Sequence, residues 1–310
     1  MSWHAWTLAD EAPDGWSHHG LALLPDGTLV GYHPGERQLL FFDAADGALV
    51  RRADCEAIEA HDICVAADGA SLWLADCGHK LCRAGAEEFA VEPAMETAVG
   101  QVLLVDLDGR TLRRYGPPEH PAYAAGGQFL PTGVALDDRG LWIADGYGSN
   151  LVHLVDHDGE LLLTLDGFDC PHGIAVDRRR PEPLLYIAER GERRLAVHAL
   201  DGTFLRHAGV GHLLAPCSLA TAGDHLLVAD LVSRVTVLDL DDELVGHLGA
   251  DREATKRPGW PNANADGATT APVVEADRFN SPHGVVVDAS GTAFVTEWLL
   301  GGRWVRCPVA

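Results

Sequence analysis

Lysine is nearly missing from this chain of 310 residues: only Lys80 and Lys256 occur, and arginine carries the rest of the positive charge. Acidic residues outnumber basic ones enough to leave a net charge of −23. That field repels a phosphate backbone, which excludes nucleic acid as a natural partner. Cysteine is sparse and odd in number, seven residues without framework spacing. Such usage suits a reducing compartment better than a disulfide scaffold, and Cys77 with Cys82 lacks a second close pair to complete a structural zinc site. No run approaches the ~18 apolar residues that cross a bilayer, so no membrane association is expected. Met1–Thr7 has neither a basic nor a long apolar region of the kind a signal peptide needs, and the expected location is cytoplasmic. Helical periodicity with caps is also lacking.

What is present is apolar material, 47% of the residues, enough for a substantial core. It is organised as a repeat. Six copies of one phrase begin at His19-Gly20-Leu21-Ala22, His61-Asp62-Ile63-Cys64, Thr132-Gly133-Val134-Ala135, His172-Gly173-Ile174-Ala175, Cys217-Ser218-Leu219-Ala220 and His283-Gly284-Val285-Val286. The strand that follows ends at Tyr32, Asp76, Asp145, Glu189, Asp230 and Glu297, so the register holds throughout. Alternating stretches such as Leu151-Val152-His153-Leu154-Val155 read as strands. Asp-Gly pairs at 26–27, 46–47, 68–69, 108–109, 158–159 and 201–202 read as hairpin turns, where glycine accepts positive φ cheaply. Six short-stranded units, each too small to bury its own faces, predict a single all-β domain, a six-bladed β-propeller.

The last repeat stops after about three strands, and Ser2–Leu8, with Trp3 and Trp6, is expected to supply its outer strand and close the ring. Insertions interrupt the pattern at Ala84–Gly100 and Asp251–Ser281. The second runs directly into His283 and is expected to form a lid at the channel rim.

The first residue of each copy sits where the innermost strand begins beside the axis. Blades two, four and six carry His61, His172 and His283, each 111 residues from the next. Alternate blades of a six-fold ring are related by about 120°, so these imidazoles are expected to point at a common centre. Three neutral imidazoles with one open position are the usual arrangement of a catalytic zinc, although Fe²⁺, Mn²⁺, Co²⁺ and Cu²⁺ also suit imidazole. A lone histidine at a strand start is more often a hydrogen-bonded rim residue; three at related places point to a metal. His19 is a fourth candidate, as ligand, acid–base group or channel lining. Asp62 follows a ligand directly and offers a carboxylate for a hard cation such as Ca²⁺, the alternative being a solvated channel aspartate.

The acids ending the second strands are expected to fix loops through backbone N–H groups. Just beyond two of them, Tyr147 and Arg190 are expected to face the mouth of the channel. A phenol beside a cation serves as general base, and a guanidinium grips a carboxylate in bidentate fashion.

Gly127-Gln128-Phe129-Leu130-Pro131-Thr132-Gly133-Val134-Ala135 and Phe279-Asn280-Ser281-Pro282-His283-Gly284-Val285 resemble NHL repeats. Within that superfamily residues 17–310 resemble peptidyl-α-hydroxyglycine α-amidating lyase, the lyase domain of peptide α-amidating enzymes. The resemblance implies zinc on His61, on His172 in Pro171-His172-Gly173 and on His283 in Pro282-His283-Gly284. It also implies a catalytic tyrosine at Tyr147 in Asp145-Gly146-Tyr147 and an active-site arginine at Arg190. The chain departs from the family at His33-Pro34, where an arginine would follow the histidine, and at Ser281, where a methionine would stand. Gly284 replaces the family's calcium-binding aspartate, and Leu130 and Gly148 replace its disulfide cysteines.

The expected function is a metal-dependent lyase that cleaves the C–N bond of a carbinolamide or related α-hydroxy compound, on a small-molecule or short peptide-like substrate. Two alternatives remain: hydrolysis of an ester, lactone or amide by metal-activated water, or a non-catalytic propeller that binds a partner on its top face.

Overall fold

The computed structural model describes residues 2–84, 87–91, 99–265 and 268–309. Their strands form six four-stranded antiparallel sheets, one per sequence repeat, arranged as the blades of a β-propeller. Blade 1 runs from Ala22 to Asp54, blade 2 from Ala60 to Tyr115, blade 3 from Gly133 to Leu165, blade 4 from Pro171 to Ala208 and blade 5 from Pro216 to Leu248. Blade 6 takes three strands from the C-terminus, 282–287, 292–297 and 303–308, and its outermost strand from His4–Thr7. Trp6 pairs with Trp304 in that closure, and its ring packs on Phe42 of blade 1 at 5.9 Å. The N-terminal segment therefore covers the edge of 303–308 and completes blade 6, as its position in the sequence predicts.

All six Asp-Gly turns adopt positive φ at the glycine, between 65° at Gly69 and 95° at Gly202. The apolar faces meet at the seams between blades. Leu74 and Leu103 of blade 2 lie against Tyr32 and Phe41 of blade 1. Trp142 and Leu154 of blade 3 lie against Leu185 and Ile187 of blade 4. Leu29 and Phe42 of blade 1 close the ring against Phe294 and Trp304 of blade 6. Each blade is thus stabilised only by its neighbours, the expected condition for a repeat architecture.

Near the axis the chains approach unusually closely. A Cβ at Gly133 would stand 2.7 Å from the carbonyl oxygen of His172, and one at Gly173 would stand 2.1 Å from that of Cys217. The glycine that follows the first residue of several repeats is thus a packing requirement.

The insertion read at Ala84–Gly100 lies largely outside the described residues; the backbone of Leu81–Ala84 pairs there with Glu87–Val91. The insertion read at Asp251–Ser281 carries a short 3₁₀ turn at Ala254–Lys256 and a hairpin of Ala263–Ala265 with Ala268–Thr270. Within it Trp260 Nε1 donates to the carbonyl of Asn280 and Asn280 Nδ2 donates to that of Pro261, and Asn262 fastens it to blade 6 by accepting from the N–H of Leu300.

Candidate metal centre

The innermost strands carry their first residues into the axis through a local irregularity. In blade 2 Ala60 opposes Asp76 and Asp62 opposes Ala75, so His61 is the extra residue of a β-bulge. In blade 6 Pro282 opposes Glu297 and Gly284 opposes Thr296, which leaves His283 as the extra residue. Blade 4 shifts register between Pro171 and Ile174, around His172. A bulge re-aims a side chain that regular pairing would hold against the sheet face, and here it turns three imidazoles inward.

Those rings meet. The centroids of His61 and His172 are 4.7 Å apart, those of His61 and His283 4.7 Å, and those of His172 and His283 5.1 Å. Each Nδ1 is paired with a backbone carbonyl on the next blade: His61 with Thr132 at 2.6 Å, His172 with Cys217 at 2.9 Å and His283 with His19 at 3.3 Å. The odd-numbered blades therefore orient the histidines of the even-numbered ones. Protonated at Nδ1, each ring turns its Nε2 lone pair toward the axis, and the carbonyl on Nδ1 fixes the tautomer that a metal-binding histidine needs.

The phenol of Tyr147 stands at the focus. Its hydroxyl lies 3.3 Å from His61 Nε2, 3.0 Å from His172 Nε2 and 3.1 Å from His18 Nε2, and it accepts from Arg190 Nη1 at 3.2 Å. The Arg190 guanidinium also lies 5.3 Å from the Tyr147 ring centroid. Tyr147 and Arg190 are thus brought to the cluster together with the three histidines.

His18 is the member that sequence reasoning missed. It belongs to the segment entering blade 1, one residue before the repeat begins, so no symmetry marks it. It is delivered by the tethering of its neighbours, Trp16 N–H to the carbonyl of Leu81 and Ser17 N–H to that of Leu299. Its ring lies 4.6 Å from that of His61 and 4.9 Å from that of His283, and ligand atoms of the three lie within 4.8 Å of one another. The adjacent His-His pair was the available signal, and it gave no way to choose between its members.

His19 itself is placed differently. Its Nδ1 pairs with the carbonyl of Gly20 at 2.8 Å and its ring packs on Trp304 at 5.4 Å. Among the described residues, no ring contact joins it to the cluster, and it serves His283 through its own backbone carbonyl. Asp62 points down the channel, where its carboxylate accepts from the N–H groups of Ile63 and Val134 and ties blade 2 to blade 3. It lines a cavity of about 340 Å³ on the far side from Tyr147, together with Leu21, Val134, Ile174 and Val285. Burial pushes its carboxyl up to about 6.

The histidines of the cluster are buried and held neutral. Burial first, then the charge of His283, keeps His61 well below the ordinary imidazole value; burial, then Arg190, does the same for His172. Burial and Arg190 bring His283 down to about 3. Burial pushes the Tyr147 phenol above its ordinary value, with Arg190 pulling the other way. The side chains fit a divalent transition ion: several neutral imidazoles converge, and the buried Nε2 of His283 has no hydrogen-bond partner among the described residues.

Four of the acids that end the second strands latch the preceding loops as expected. Asp76 accepts from Ile58 and Glu59, Asp145 from Leu130 and Ser149, Asp230 from Leu214 and Ala215, and Glu297 from Asn280 and Ser281, all through backbone N–H groups. Glu189 differs and takes the Arg194 guanidinium at 2.7 Å.

No protein-family profile and no curated protein matches the chain. Solved structures do. A streptogramin B lyase superposes with a TM-score of 0.61 at 12% identity, covering 98% of this chain and 97% of the other. The virginiamycin B lyase of Staphylococcus aureus superposes with a TM-score of 0.60 at 11% identity, over 100% of this chain and 99% of that one. A catalytically inactive histidine-to-alanine variant of the same enzyme, solved with quinupristin, gives 0.59 at 11% identity, covering 100% of this chain and 99% of the variant. A protein of unknown function from Bacteroides thetaiotaomicron gives 0.63 at 13%, over 99% of this chain and 76% of the other. At these identities the likeness is one of fold.

Proposed function

We propose that the chain is a metal-dependent lyase that cleaves a C–N bond in a carbinolamide or related α-hydroxy compound. The observation that carries this reading is the meeting of Tyr147 Oη with His18, His61, His172 and Arg190 in one buried focus. His61, His172 and His283 would hold the metal, which supplies Lewis-acid stabilisation of a substrate oxygen. Arg190 holds a carboxylate or carbonyl of the substrate. Tyr147 takes the proton of the substrate hydroxyl and gives a proton to the departing amide nitrogen; the C–N bond breaks and an amide and an aldehyde leave. The phenol acts as a base only with cationic charge beside it, because burial alone disfavours the phenolate. The resemblance to amidating lyases supports this substrate class, and the presence of lyases among the structural neighbours supports lyase chemistry on this scaffold.

The names of those neighbours suggest a second lyase substrate to test, quinupristin, with which one of them was solved. The test offers the purified, metal-loaded protein both an N-acyl-α-hydroxyglycine and quinupristin. Glyoxylate and amide from the first, lost on chelation, support the proposal. Product from quinupristin alone keeps the lyase and changes its substrate. No metal-dependent product from either compound overturns the lyase reading.

A further inference from the structure

Beside the axial cluster lies a second group of donors with a different chemistry. The loop after Asp76 turns sharply through Gly78, at φ 76°, with the Gly78 N–H held by the Asp76 carboxylate at 3.0 Å. The turn folds Cys77 and His79 back on each other, with Cys77 Sγ 4.0 Å from His79 Nε2. His79 Nδ1 pairs with the carbonyl of Cys77 at 3.2 Å, which fixes the ring so that Nε2 faces the sulfur. The third member is His18, and one ligand atom from each of the three lies within 4.8 Å of the others. His18 is buried and its Nδ1 has no hydrogen-bond partner among the described residues, while its Nε2 is engaged by Tyr147.

We propose that Cys77, His79 and His18 form a second metal site, selective for a thiophilic divalent cation such as zinc or cadmium. A tetrahedral ion holds sulfur and nitrogen ligands about 3.5 Å apart, so Cys77 and His79 need to close by only a few tenths of an ångström. One thiolate and two imidazoles leave a fourth position for water. Binding releases the Cys77 thiol proton to solvent as the metal–sulfur bond forms, so uptake strengthens as pH rises. His79 is only partly buried and gives the ion its route inward. The thiol here is Cys77 beside His79, whereas the thiol nearest the axial imidazoles is Cys217, grouped with His172 and His283. Ligation through the free His18 Nδ1 would fix Nε2 as an N–H donor to the Tyr147 hydroxyl, so occupancy of the second site would tune the phenol of the first.

The test titrates the reduced, metal-free full chain with Co²⁺ while recording near-ultraviolet absorption. The inference predicts two equivalents bound, one with a thiolate-to-cobalt charge-transfer band. That band and one equivalent should vanish in Cys77→Ser and survive in Cys217→Ser, which probes the other thiol close to histidines. Should Cys77→Ser fail to fold by circular dichroism, His79→Ala carries the same expectation. A single equivalent without the band, a band that survives both variants, or a band lost only in Cys217→Ser overturns the site. An intact band with no His172-dependent equivalent counts against the axial ion alone, so the two readings fail separately.

Discussion

At the scale of single residues, the cluster depends on which atoms of each ring are already engaged. His61, His172 and His283 each commit Nδ1 to a neighbouring blade, and among the described residues Tyr147 is the phenol whose oxygen reaches two of the Nε2 atoms. Tyr147→Phe is expected to lower kcat by about 10²–10⁴-fold, the usual contribution of a positioned acid–base group, with metal content unchanged. Steady-state kinetics with elemental analysis of the variant checks it, and full activity in the phenylalanine variant would remove Tyr147 from the chemistry. The three histidines were legible in the sequence because the repeat numbers the blades and equal spacing selects alternate ones. His18 was not, because its arrival depends on Trp16 and Ser17 bonding to blades 2 and 6, and those long-range bonds leave no local pattern.

At the scale of the element, the loop that ends each second strand is a latch, and the one carrying Tyr147 is the most heavily built. Asp145 accepts from Leu130 and Ser149, and also from the Tyr123 hydroxyl at 2.8 Å. Asp145→Ala leaves these donors unpaired, at a cost of about 2–4 kcal/mol in unfolding free energy, and frees the loop from Asp145 to Asn150 that aims the phenol. Chemical denaturation and kinetics should therefore both respond, activity more than stability. The same network holds His153, whose Nε2 meets Tyr123 at 2.7 Å and whose Nδ1 meets Thr164 at 3.0 Å. Burial, with His120 adding to it, brings His153 down to about 4 from an unfolded value of 6.5. The folded state then binds fewer protons than the unfolded one in that interval. Stability from this group is whole above pH 6.5 and falls as pH drops toward 4, by about 3 kcal/mol. Urea titrations across that range should show the slope in the wild type and a shallower one in His153→Gln. The latching role of the acids could be read from their recurrence at strand ends, whereas the bulges that turn the histidines inward have no signature in a period-2 pattern.

At the scale of the whole molecule, stability is shared among seams, and one strand closes the circle. His4–Thr7 pairs with 303–306, Trp6 rests on Phe42 across the seam, and Trp3 packs on Phe279 at 5.2 Å. Trp6→Ala is expected to cost about 3 kcal/mol, read as a fall in the denaturation midpoint, and deletion of residues 2–8 should expose the edge of blade 6 and promote association. An unchanged midpoint in Trp6→Ala would mean that the ring closes without that strand. Six repeats, their turns and this closure follow from periodicity and from Asp-Gly chemistry. What the repeats conceal is the asymmetry of the axis: imidazoles on the even blades, carbonyls on the odd ones, and a fourth imidazole from outside the pattern.

The central claim is that alternate blades bring His61, His172 and His283 to one ion. Crystals of the metal-loaded protein, measured for anomalous scattering at the metal's absorption edge, test it most directly. The account predicts one strong peak on the axis about 2 Å from Nε2 of each of the three rings, absent in His172→Ala. Well-ordered wild-type crystals with no axial peak, the Tyr147 hydroxyl still resting among the imidazoles, would contradict it.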